Sequence, residues 1–176
     1  MWVAYYRREW VTFLRHAIGL TRHVFGLPWP ETLYGSWLAM RAIQLWAPYP
    51  DNDPDRSRQA MERFYGLVAR HHGERFDPAT AAELEVEWWR VHREVQYADP
   101  PIDARPLVDA LAALYAYAYD VPEAEVRVAA EQRALAMRYS DQWVSEGCDP
   151  SSTLIADERA ALVRSYAGLL AAVHRA

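Results

Sequence analysis

Apolar positions recur at three- and four-residue steps along most of the chain, which is the helical period, and no stretch alternates with the two-residue period of a half-buried strand. Residues 2–25 give a first helix whose seam is Val3, Tyr6, Trp10, Phe13, Ala17, Leu20 and Val24, with Arg8, Arg15 and Arg22 on the opposite, solvated side. The stretch Gly26-Leu27-Pro28-Trp29-Pro30 ends it. A second helix, from about Glu31 to Trp46, is apolar nearly all round, with Arg41 as its only interior charge, and this pattern predicts the buried centre of the fold. Asp53-Pro54 has the cap-then-proline form of a helix start and opens a third helix, with Met61, Phe64, Tyr65 and Val68 inward, that stops at Gly73. Asp77-Pro78 repeats the signal for a fourth, running to about Tyr97 with Leu84, Trp88, Val91 and Val95 on its core face. After the Pro100-Pro101 break, a fifth follows Arg105-Pro106 to Tyr119, a sixth runs from Asp120-Val121-Pro122 to Gly147, and a last covers 152–175. The expected architecture is an all-α single domain spanning residues 1–176, a bundle of about seven helices with short Pro/Gly-punctuated loops.

Composition narrows the class. A chain of 176 residues that is 52% hydrophobic can bury a full core. Its formal net charge of -5 argues against nucleic acid, which calls for a basic face. No apolar run reaches the roughly 18–20 residues that span a bilayer, so no membrane partner is expected. Arg7-Arg8 is followed by Glu9 rather than by an apolar signal core, and Cys148 has no second cysteine to pair with, so the expected setting is the reducing cytoplasm. All 19 basic residues are arginine and Asn52 is the only asparagine, the mark of GC-rich codons; the expected context is bacterial specialised metabolism. The 8 tryptophans and 11 tyrosines enrich the chain in side chains that build either cores or ligand pockets.

Candidate chemistry concentrates on the fourth helix. Glu83, Glu87, Arg90 and Glu94 lie off the core stripe at spacings of three and four, as a solvated ion-paired face does. Glu85, Trp89, His92 and Gln96 sit at the edge of that stripe. A histidine beside two tryptophans is a candidate general base, with Gln96 one turn on as an orienting partner and Glu85 as a second acid/base group; a core-edge histidine bonded to backbone is the plainer alternative. Arg41 is the strongest single anomaly, because a buried guanidinium must meet an anion. Walled by Trp37 and Gln44, it is a candidate receptor for a carboxylate or phosphate, or else half of an internal ion pair. On the first helix, Glu9, His16 and His23 are spaced by seven, with Tyr5 and Thr12 nearby. Two turns separate them by about 10 Å, so they line a groove or a partner helix rather than share one ligand. In the sixth helix Arg138 and Asp141 are three apart and suit a surface pair. Tyr115, Tyr117 and Tyr119 scatter around the fifth, which exposes some of them.

Spacing disfavours metals: no acidic residue stands three before any of the 6 histidines, and no histidine pair has the i, i+4 spacing of a zinc helix. Asp51, Asn52, Asp53 and Asp55 lack the glycine and terminal glutamate of an EF-hand and read as capping chemistry. No cofactor is expected; a non-covalent haem on His92 is the minor alternative, since no Cys-x-x-Cys-His occurs. Nucleophile motifs and phosphate-cradling glycine loops are absent, and Cys148 reads as a turn residue.

These features make the leading expectation a small helical enzyme or binding protein for an anionic or aromatic small molecule. Its pocket would be walled by Trp37, Gln44, Trp88, Trp89, Gln96 and His16, anchored by Arg41, with His92 and Glu85 as acid/base groups. The alternative is a non-catalytic interaction module, including a homodimer, docked through exposed aromatics. The two differ in an observable way: a pocket gathers Arg41, His92 and tryptophans around one cavity, whereas a docking module has a filled core and a large apolar patch.

Overall fold

The computed structural model describes residues 2–7, 9–100 and 102–174, without the side chains of Trp2, Tyr5 and Trp10. The predicted positions of Arg8, Pro101 and Arg175, and the side chains of Tyr5 and Trp10, therefore lie outside what is described. The fold is all-α, and among the described residues there is no strand. A short helix α1 (Trp2–Tyr6) precedes seven longer ones: α2 (Trp10–Phe25), α3 (Trp29–Trp46), α4 (Pro54–His72), α5 (Pro78–Tyr97), α6 (Arg105–Tyr119), α7 (Glu123–Ser145) and α8 (Leu154–Val173). By packing, the chain falls into two compact units, Met1–Val86 and Glu87–Ala176.

The predicted punctuation holds. Asp53 accepts from the backbone N–H of Arg56 at 3.0 Å, and Asp77 accepts from the N–H and hydroxyl of Thr80 at 2.9 and 2.8 Å, so each aspartate caps the helix that its proline opens. Gly26 and Gly73 end α2 and α4 in the left-handed conformation that favours glycine. The Asp77 carboxyl is held below its ordinary range by the Thr80 N–H. Such a group stabilises the fold above the unfolded carboxylate pKa, and that contribution fades as pH falls through the depressed folded value. Asp77→Ala is therefore expected to melt earlier than the parent chain at neutral pH. The two melting midpoints should converge in strong acid; a gap that stays constant with pH counts against the cap.

One predicted helix is interrupted. The N–H of Glu9 reaches back five residues to the carbonyl of Ala4 at 2.8 Å, closing α1, and the Glu9 carbonyl accepts the N–H of Phe13 as α2 begins. The buried stripe of α2 is Phe13, Ala17 and Thr21, whereas Tyr6, Leu20 and Val24 of the predicted seam are exposed.

In the first unit α3 packs on α4. The buried face of α3 is Thr32, Gly35, Ser36, Leu38 and Ala42, mostly small residues. A Cβ on Gly35 would lie 3.3 Å from Leu67, so glycine sets how closely the two helices approach. The Ser57 hydroxyl donates to the Ala42 carbonyl at 3.1 Å, and Phe25 meets Phe64 edge-on at 5.1 Å. In the second unit, Val91, Leu107, Leu111, Val126, Ala130, Met137 and Leu169 belong to one core, with Trp88, Val95 and Tyr115 packed against it. Its closest pair is α7 and α8: Gly168 lies beside Ala129, whose carbonyl accepts the buried Ser165 hydroxyl at 2.8 Å.

Candidate functional site

The structure builds two features from the predicted residues. The first is on α5. His92 donates through Nε2 to Oδ2 of Asp141 on α7 at 2.9 Å, and Gln96 donates through its amide to the other carboxylate oxygen, also at 2.9 Å. A carboxylate only accepts, so this contact places a proton on Nε2, and in the neutral imidazole Nδ1 is then the lone pair. The side chains of His92 and Asp141 are 24% and 25% exposed, enough burial to shield the pair and enough opening to reach it. Trp88, one turn before His92, packs against the core and meets Trp89 edge-on at 6.1 Å; its indole N–H is buried and without a partner among the described residues.

The sequence places His92 and Gln96 side by side and makes Gln96 the direct partner of His92; in the structure each donates to Asp141 instead, a residue the sequence reading missed. Asp141 is not the surface partner of Arg138, which is exposed. The signal was periodic: Ala130, Ala134 and Met137 form the buried stripe of α7, and Asp141 is its next step. A carboxylate on an apolar stripe needs an inward donor. Glu85 does not join this group. It lies two turns earlier on α5, within the first unit, where Oε2 accepts the Tyr65 hydroxyl at 2.8 Å. The outward face of α5 is as expected: Arg90 bonds Glu87 at 2.7 Å and also pairs with Glu94, and the guanidinium holds the Glu87 carboxyl below its ordinary range.

The second feature corrects the expectation for α3. This helix is not the buried centre, and Arg41 is not at the foot of a pocket: Arg41 and Gln44 are exposed. Trp29, Leu33, Tyr34 and Trp37 are 57%, 52%, 47% and 54% exposed, and Ile43 is also open. Tyr34 and Trp37 stack nearly parallel with centroids 6.0 Å apart. The cause is side-chain size. α3 is apolar all round, but its small residues face α4 and allow close packing, which leaves the large ones on the other side. Arg41 makes no hydrogen bond or ion pair among the described residues, so a cation stands unpaired on an aromatic face.

His16 is exposed on α2, and His23 bonds the Gly19 carbonyl of its own helix at 2.7 Å. Arg41, Trp37, Gln44 and His16 lie in the first unit, and His92, Gln96, Trp88 and Trp89 in the second. Among the described residues no three His, Cys, Asp or Glu side chains are grouped to hold a metal ion, and no helix is long and apolar enough to cross a membrane. Comparison with protein-family models, with curated proteins and with solved structures finds no match.

Proposed function

We propose that this protein is a helical interaction module that docks through the exposed face of α3. The observation that carries the reading is the contiguous apolar surface of Trp29, Leu33, Tyr34 and Trp37, each about half exposed on one helix. Single exposed apolar residues are ordinary, but a run of large aromatics on one face is the mark of a binding surface. Aromatic anchors with an arginine among them are also the residues that dominate protein–protein interfaces. A reducing cytoplasm suits the lone Cys148, which is free and half-buried in the turn before α8.

A photo-crosslinking amino acid in place of Trp37 tests the reading directly. Illumination in the source cells should give a covalent adduct from position 37. The same group in place of Arg63, exposed on α4, should give none. No adduct from position 37 sinks the reading.

A second reading rests on a different observation, the buttressed imidazole. With Nε2–H held by Asp141 and Asp141 held by Gln96, His92 presents Nδ1 as an oriented proton acceptor for an acidic proton on a small molecule. Arg41 has no part in this reading.

A further inference from the structure

Resting on that docking reading, we propose that the partner of the α3 face is a second copy of this chain, with the two α3 helices antiparallel about a two-fold axis beside Trp37. Three features of the face carry this.

The first is area. Taking about 150–250 Å² for an aromatic side chain, the half-exposed Trp29, Tyr34 and Trp37 with Leu33 and Ile43 leave on the order of 500 Å² of apolar surface per copy. Two copies then bury about 1,000 Å², the size at which a specific interface becomes possible and below that of a permanent dimer. The pair is accordingly reversible.

The second is charge. α3 carries only Glu31 and Arg41, and Arg22 of α2 is already engaged over the Trp29 ring at 4.5 Å, so a strongly charged partner finds little to pair with. A copy of the same sparsely charged, mostly aromatic face brings few charges to desolvate.

The third is the distribution of chemistry about Trp37. The N-terminal half of the face is π-rich: Tyr34 stacks on Trp37, and the Trp29 ring beyond them is already covered by Arg22 of its own chain at 4.5 Å, while the C-terminal half holds the unpaired Arg41. Antiparallel pairing lays each half on its complement. Tyr34 is three residues before Trp37 and Arg41 is four after it, so the two-fold brings Arg41 of one copy level with Tyr34 of the other, on the same side of the contact. Each guanidinium then covers the aromatic stack of the other copy, and the cation gains the partner that its own chain does not supply. Parallel helices would instead set Arg41 against Arg41.

Sedimentation velocity over a concentration series tests the pairing, and a charge swap tests its register. The wild-type chain should move from 20.3 kDa to twice that mass as concentration rises through the micromolar range. Tyr34→Arg, which sets like charges level across the two-fold, should weaken the dimer by about tenfold or more. Tyr34→Glu, which gives Arg41 an anion, should hold it within about threefold. Tyr34 and Arg41 are two turns apart in one chain, so position 34 meets Arg41 across the contact rather than within its own helix; Glu31→Gln in both variants removes the one i,i+3 charge that position 34 faces in its own helix. At concentrations below that at which the dimer forms, both variants should keep the parent melting midpoint, since Tyr34 is exposed. A wild-type chain that stays monomeric overturns the pairing, and so does equal weakening by both substitutions. A monomer whose position-37 crosslinker captures a different protein overturns the second copy and leaves the docking reading standing. A monomer that gives no adduct ends both.

Discussion

Trp143→Ala is expected to cost about 3–5 kcal/mol, the range for emptying an aromatic site in a core. Trp143 is fully buried, and its indole N–H donates to the Asp149 carbonyl at 2.7 Å. Its own carbonyl accepts the N–H of Cys148 at 3.0 Å, in a turn where Gly147 and Cys148 both have positive φ. One side chain thus fills the end of α7 and fixes the turn that launches α8. Against a total stability of about 5–15 kcal/mol this is a large fraction, and the melting midpoint should drop by roughly 6–20 °C. Trp143→Phe separates the two parts of the effect: it keeps most of the apolar volume and loses the indole donor, for about 1 kcal/mol from the hydrogen bond beyond any repacking. Trp37→Ala is the control, a tryptophan on the docking face whose loss should leave the midpoint nearly unchanged. If Trp37→Ala destabilises as much as Trp143→Ala, the α3 face is structural and the interaction reading loses its ground.

The contrast between these tryptophans shows where sequence reasoning reaches and where it stops. Helix starts were legible because they are local: Asp53-Pro54 and Asp77-Pro78 carry their cap and their proline within two residues. The core face of α5 was legible because Val91, Val95 and Trp88 follow the helical period on an otherwise polar helix. The burial of α3 was not, because a helix that is apolar all round gives no phase. What decided its orientation was the size of residues, Gly35, Ser36 and Ala42 against Trp29, Leu33 and Trp37, together with the shape of α4, where Leu67 and Phe64 approach the glycine. Periodicity scores apolar character and does not see that small residues let a neighbour come close. Arg41 followed α3 to the surface, which removes the buried setting from which an anion partner was argued.

The candidate site was half legible for a related reason. His92 and Gln96 are neighbours on one helix, and their spacing placed them together. Asp141 lies 49 residues from His92 along the chain. Only the packing of α5 against the second unit's core brings them into contact, and no spacing rule within α5 contains it. Glu85 was placed beside His92 by the same helix-edge argument, and its partner Tyr65 took it elsewhere. An edge position says that a side chain will find a neighbour, but not which one.

The network around Asp141 gives the second large effect. Asp141→Ala leaves two donors, His92 Nε2–H and the Gln96 amide, facing a half-buried gap, and should cost about 1–3 kcal/mol. Asp141→Asn should recover much of this by a proton shift. An asparagine amide offers one oxygen and one NH2, so with the Gln96 amide held as it stands it accepts from Gln96 and donates to His92 only if the imidazole moves its proton from Nε2 to Nδ1; a flipped Gln96 amide, accepting from the asparagine NH2, is the competing arrangement that keeps Nε2–H. Nitrogen-resolved NMR of the histidine ring reads that exchange directly: Nε2–H in the parent chain, Nδ1–H in the variant. The tautomer decides more than stability, because Nδ1 is the nitrogen that the second reading assigns to proton acceptance. In Asp141→Asn that nitrogen becomes a donor while the fold persists, so any acid–base chemistry at His92 should disappear without unfolding, and pairing through α3 should be untouched. If the tautomer does not change and Asp141→Asn is as destabilised as Asp141→Ala, the carboxylate acts through its charge, and His92 serves to hold α5 to α7 rather than to move a proton.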